Sequence, residues 1–224
     1  MLTQIKLSVP TCAYLRDPQE TKLGVSILTA CIDLMDDIGF EAFNFKKLAK
    51  LIGSTEASVY RYFRNKYQVL LYIHSWYWGW MHFKLIQETQ RLESLNDKLN
   101  TGLQLLIAKV ENDDRFPFID QKKMVRIIEC EGTKLMLHKQ VDSVNKEGAY
   151  ENYSEVIGLL SDWLKLIAPN FQYPKMLLST IIEGAHIQHF FTDHLPHLTN
   201  KTSKEDDVAL FFMSMLKNMI SCHK

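Results

Sequence analysis

The stretch Gly39-Phe40-Glu41-Ala42-Phe43-Asn44-Phe45-Lys46-Lys47-Leu48-Ala49-Lys50-Leu51-Ile52-Gly53-Ser54-Thr55-Glu56-Ala57-Ser58-Val59-Tyr60-Arg61-Tyr62-Phe63 decides how this chain folds. Leu48, Ala49, Ile52, Val59 and Phe63 recur at spacings that let two short helices share a small core. Ala49 permits close approach of the pair, and Gly53 supplies the backbone freedom for the turn between them. Asn44 and Thr55 stand where a side-chain oxygen accepts a hydrogen bond from the free N–H groups of a helix start, and Asn65 does the same for the piece that follows. The second helix, over 56–62, then turns its first residues outward. This pattern predicts a helix-turn-helix, whose second helix has the width to enter a DNA major groove.

Charge adds to that reading through its placement and not through its sum. The chain balances 26 Lys and Arg against 26 Asp and Glu. Between residues 44 and 66, however, Lys46, Lys47, Lys50, Arg61, Arg64 and Lys66 are opposed by Glu56 alone. Such a local cationic footprint suits a phosphate backbone. A solvated helix face is the plainer reading of Lys46, Lys47 and Lys50, and core packing the plainer reading of Tyr60 and Tyr62.

Outward from this stretch the pattern stays helical. Residues 1–19 carry Pro10 and Pro18 without a sustained period and read as an arm. Over 20–38 the positions Leu23, Ile27, Ala30, Cys31, Leu34 and Ile38 mark one face of an amphipathic helix, which Gly39 is placed to end. A long helix is expected from 66 into the low 90s, then further ones near 97–112, 118–140, 150–167, 174–194 and 204–221. In the last, Val208, Phe211, Phe212, Met215, Leu216, Met219 and Ile220 form one apolar stripe. No alternating strand pattern and no internal repeat appear. The expected fold is all-α with about nine helices: an arm over 1–19, a three-helix DNA-binding domain over 20–66, and a helical domain over 67–224.

Composition excludes several classes. A chain of 224 residues that is 46% hydrophobic can bury a sizeable core. No apolar run approaches the roughly 18 residues of a membrane span, and no secretory leader is recognisable, so the expectation is a cytosolic chain without a membrane partner. Cys12, Cys31, Cys130 and Cys222 lie far apart without Cys-x-x-Cys spacing and read as free thiols. No phosphate-cradling glycine loop, nucleophile elbow or zinc-protease motif is present, so neither an enzyme nor a cofactor is expected.

In order and spacing, Gly39-Phe40, Leu48-Ala49, Gly53, Val59-Tyr60-Arg61-Tyr62-Phe63 and Lys66 resemble the TetR (tetracycline-repressor) family over residues 23 to about 73. The resemblance implies that Lys46 and Glu56 reach base edges and that Ala57 lies against a base or sugar. Arg61 would serve a base or a phosphate, while Ser58, Tyr60, Tyr62 and Lys66 would hold phosphates. The capping residues Asn44 and Thr55 complete the expected DNA-binding set. Lys donates well to guanine O6 and N7, and Glu accepts from cytosine N4. Phe43 and Phe45 depart from the small hydroxylated residues common at their positions, which would remove one phosphate contact, and Glu56 sets an acid against a polyanion.

The same resemblance implies a C-terminal domain for effector binding and dimerisation, with repression of transcription relieved by the effector. Leu177, Ile181, Gly184, Ala185 and Gln188 over 173–194, with Phe211, Met215 and Met219 over 204–222, are the candidate homodimer seam. Trp76, Trp80 and Phe83 have the spacing to line a cavity for an apolar or aromatic small molecule, core packing being the alternative for each. His186, His189, His194 and His197, near Glu183, read as interface or surface histidines before they read as a metal site. A helical metal-binding or enzymatic bundle with an incidental helix-turn-helix is the contrasting function.

Overall fold

Local chemistry fixes most of the helix limits in the computed structural model, which describes residues 5–200 and 206–221. Thr21 caps α1 (Lys22–Ala42) by accepting from the Gly24 N–H at 2.9 Å. Gly39, at φ 73° and ψ 162°, breaks the regular helix three residues before its last turn ends. Next come α2 (Phe45–Leu51), α3 (Glu56–Tyr60), α4 (Lys66–Thr89) and α5 (Leu95–Ile107). Beyond them lie α6 (Gln121–Met136), α7 (Val141–Lys146), α8 (Glu151–Ile167), α9 (Pro174–His194) and α10 (Asp207–Ser221). The described residues thus form ten α-helices and no strand, an all-α fold with one helix more than the nine expected. The addition is α7. It lacks a side-chain cap and buries none of its residues, so neither a cap nor an apolar stripe marks it in the sequence.

The chain divides into two compact units. The first contains the residues up to Gly79 together with Val110–Glu151. Here α1 lies against α6. The face that α1 buries, Ile27, Leu28, Cys31, Ile32 and Met35, is rotated from the expected stripe: Leu23 is 37% exposed, and Leu34 and Ile38 are only half-buried. The cause is α6, which adds a second apolar contact and lines its polar edge with ion pairs. Lys123 Nζ meets Asp33 Oδ1 at 2.5 Å. Arg126 grips both oxygens of Asp36 at 2.8 and 2.6 Å, and Lys134 reaches Glu41 at 2.7 Å. Partly exposed pairs contribute at most about 1 kcal/mol each, so they fix the register of the two helices more than they stabilise the fold.

The expected arm is instead a strap bound to this first unit. Leu7, Val9 and Ala13 are buried. Gln19 accepts from the Leu7 N–H at 3.3 Å and donates back to the Leu7 carbonyl at 3.0 Å. The Leu15 N–H donates to the Tyr62 carbonyl at 2.7 Å, and the Tyr72 hydroxyl donates to Asp17 at 2.9 Å. A β-carbon on Gly24 would stand 2.3 Å from the Pro18 carbonyl oxygen, so the strap crosses α1 where no side chain intervenes.

The second unit contains Trp80–Lys109 and the chain from Asn152 onward. Its core is built from α5, α8, α9 and α10 with the end of α4. Two glycines set its packing distances. A β-carbon on Gly102 would lie 2.6 Å from Leu85 and 3.0 Å from Leu160, and one on Gly184 would lie 2.8 Å from the Phe212 ring. No helix among the described residues is long and apolar enough to cross a membrane.

Candidate nucleic-acid interface

The helix-turn-helix is assembled by the residues that were expected to assemble it. Leu48, Ala49, Val59 and Phe63 are buried, while Ile52 is only half-buried. Asn44 Oδ1 accepts from the Lys47 N–H at 2.9 Å, and Thr55 Oγ1 accepts from the Ser58 N–H at 3.2 Å. Gly53, at φ 62°, makes the turn, with the Ser54 N–H donating to the Ala49 carbonyl at 2.9 Å. At this φ any β-carbon would be strained. Asn65 opens α4 by accepting from the Gln68 N–H at 2.9 Å.

These contacts leave one side of α3 exposed. Glu56, Ala57, Tyr60 and Arg61 are exposed there, with Thr55 at its start and Ser58 half-buried, the two hydroxyls 3.0 Å apart. From α2 the exposed set gains Asn44, Lys46, Lys47 and Lys50. Lys46 and Lys50 make no ion pair among the described residues, whereas Lys47 donates to the Ala42 carbonyl at 2.9 Å. Phe43 and Phe45 point inward, at 1% and 5% exposure. The Phe45 ring meets that of Tyr60 edge-on at 4.9 Å, which holds an otherwise exposed tyrosine in place. Nothing in the sequence marks Phe45 for that role beyond its aromatic type at the first position of α2.

Two expected phosphate contacts are placed elsewhere. Tyr62 is 3% exposed, and its hydroxyl lies 2.7 Å from Thr21 Oγ1, inside the unit and not on its surface. Lys66 donates to the Phe40 and Glu41 carbonyls at 3.0 and 3.1 Å and lies 4.6 Å from the Phe40 ring centre. Its ammonium satisfies carbonyls freed by the break at Gly39, the usual task of a cation at a helix end.

In the second unit the expected dimer seam is split. Ile181 and Ala185 are fully buried in the unit's own core, and Gly184 receives the Phe212 ring of the same chain. Phe211 and Met219 are 56% and 41% exposed, while Leu177, Gln188 and Met215 are half-buried. Residues 201–205 and Cys222, at the ends of the expected last helix, lie outside the described residues. Cys12, Cys31 and Cys130 are free thiols.

The three expected pocket aromatics do not gather in one unit. Trp76 belongs to the first, where its ring meets Phe116 and Phe118 edge-on at 5.3 and 6.2 Å and its Nε1 donates to Gln19 at 3.3 Å. Trp80 and Phe83 belong to the second, Trp80 fully buried and Phe83 half-buried. A cavity of about 250 Å³ in the second unit is lined by Gln188, Leu198, Thr199, Asn200, Asp207, Val208 and Phe211. One of about 380 Å³ in the first is lined by Thr11, Cys12, Tyr14, Arg64, Gln68 and Glu147.

The histidines also divide. His194 and His197 are exposed, but His186 and His189 are buried, not at a surface or interface. Burial, with His189 adding to it, holds the His186 imidazole's pKa down to about 4, so it is neutral at physiological pH. His189 Nε2 lies 2.8 Å from the Ile107 carbonyl oxygen. Burial raises the Glu183 carboxyl above its ordinary range while the Tyr153 hydroxyl donates to it at 2.7 Å. Among the described residues no group of three His, Cys, Asp or Glu is arranged to hold a metal ion.

Comparison with known proteins bears on both halves. Residues 27–73 match the family of bacterial regulatory proteins described as the tetR family. No curated protein is detected as a relative. Among solved structures, AibR in complex with isovaleryl coenzyme A and operator DNA is similar at TM-score 0.56 and 16% identity, over 84% of this chain and 95% of that one. The fatty acid degradation regulator FadR from Bacillus halodurans is similar at TM-score 0.54 and 16% identity, over 88% and 91%. At these identities the likeness is one of fold.

Proposed function

We propose that the chain, whose residues 27–73 match the tetR family of bacterial regulatory proteins, binds operator DNA and represses transcription until a small molecule releases it. The observation that carries this reading is the exposed side of α3, capped by Thr55 and flanked by the exposed cations Lys46 and Lys50, which make no ion pair among the described residues. Lys46 and Glu56 take base edges, Ala57 offers a methyl to a thymine or a sugar, and Ser58, Tyr60 and Arg61 fix register on phosphates. Two copies of the chain pair through the surface left on α9 and α10, with Phe211 and Met219 at its centre, and so present two reading helices to a near-palindromic site.

The effector acts through the helical body. AibR, which shares the fold, is held together with both isovaleryl coenzyme A and operator DNA, and this supports coupling a small-molecule site to a DNA site in a chain of this architecture. In the first unit α1 packs on α6 in a register that ion pairs fix, so a displaced α6 takes α1 and the reading helix with it. The effector needs only bind one arrangement better than the other.

Selection of binding sites from a random duplex pool tests the proposal. The chain is expected to enrich one near-palindromic sequence, and Lys46→Ala to relax the choice at one position of each half-site, a loss of about 1–3 kcal/mol of discrimination. A pool that remains unenriched at low salt would refute it.

A further inference from the structure

We propose that Arg16, carried on the N-terminal strap, grips an operator phosphodiester beside the C-terminal end of α3. The proposal rests on the DNA-binding reading above and adds to it a contact from outside the helix-turn-helix. Its starting point is a deficit: the Tyr62 hydroxyl is turned to Thr21 and the Lys66 ammonium to the end of α1, so two groups of the right chemistry are engaged within the protein. Arg16 stands over the ring of one of them, Tyr62. Its guanidinium carbon lies 5.8 Å from the Tyr62 ring centre, and Tyr62 directly follows Arg61, the C-cap of α3.

The strap holds Arg16 there. On one side the Leu15 N–H donates to the Tyr62 carbonyl at 2.7 Å. On the other, Asp17 is fixed by the Tyr72 hydroxyl at 2.9 Å and by the Gln19 N–H at 3.0 Å. A side chain whose backbone is anchored on both flanks loses little further freedom when it binds.

Neighbouring acids do not compete for it. Asp17 and Glu20 are both taken by Lys6, whose Nζ lies 2.8 and 3.2 Å from them. Arg16 itself is exposed and makes no ion pair among the described residues. With Arg61, the exposed C-cap of α3, it gives that end of the reading helix two guanidinium groups. A guanidinium donates two parallel hydrogen bonds to a phosphate, which suits it to this position better than an ammonium.

The test titrates salt against binding of the full chain to a mixed-sequence duplex, where phosphate contacts alone count. Arg16→Gln is expected to weaken binding about fivefold per protomer at 0.15 M salt and to lower the slope of log affinity on log salt by about one per protomer. Arg16→Lys is expected to restore the slope. The unfolding temperature of the DNA-free protein, followed in parallel, reports any structural part played by the cation above the Tyr62 ring. Equal slopes for Arg16→Gln and the parent overturn the proposal, whatever the unfolding temperature does. If the parent itself shows no salt-dependent binding, the DNA-binding reading fails and the contact fails with it.

Discussion

Tyr60 and Tyr62 stand two positions apart and take opposite roles. Tyr60 is half exposed, its ring steadied by Phe45, whereas Tyr62 is buried with its hydroxyl on Thr21. Removing each hydroxyl should therefore show up in a different measurement. Tyr60→Phe is expected to weaken DNA binding several-fold and leave the denaturant midpoint unchanged, since an exposed hydroxyl contributes little to folding. Tyr62→Phe is expected to cost about 1 kcal/mol of stability, the net value of a part-buried hydrogen bond, and to leave the salt dependence of DNA binding as it was. The reverse pattern in the two assays would mean that the faces of α3 have been wrongly assigned.

At the scale of elements, much of the fold is written locally. Asn44, Thr55 and Asn65 cap the helices they precede, Gly39 and Gly53 take the positive φ that breaks α1 and makes the turn after α2, and α8 and α9 begin and end within a residue of their expected limits. Signals of this kind are short-range, because a cap or a positive φ depends on the residue itself and its near neighbours. What escaped the sequence depends on distant partners. The strap over 5–20 has no period because it forms no long helix, and it is held by Tyr62, Gln68, Tyr72 and Trp76, which are remote in sequence. The buried face of α1 is rotated because α6, about ninety residues onward, adds its own contact. The candidate site was legible in the same measure. That α3 turns its first residues outward could be read from helical spacing and the individual residues from the family resemblance, but that Tyr62 and Lys66 would serve the protein's own Thr21 and α1 carbonyls could not.

For the whole molecule, the reading requires two chains. Of the seam expected on α9 and α10, the inner residues Ile181 and Ala185 serve the chain's own core, and Phe211 and Met219 remain outside. Large apolar side chains exposed close together mark a surface made to be covered. The variant Phe211→Glu with Met219→Glu is expected to sediment as a monomer where the parent sediments as a dimer, while keeping its helical circular dichroism. Because two linked heads gain affinity from acting together, the monomer should also lose orders of magnitude in binding to a palindromic site. A variant that remains dimeric would move the interface off this surface.

The central claim, that the capped and cationic side of α3 meets a phosphate-bearing duplex, is tested most directly by the affinity of the unaltered full chain for duplex DNA across a salt series. The account predicts that log affinity falls linearly with log salt, with a slope of about −5 or steeper, as several lysine and arginine contacts per protomer displace counterions. Affinity that is undetectable at low salt, or that does not change as salt rises, would contradict it.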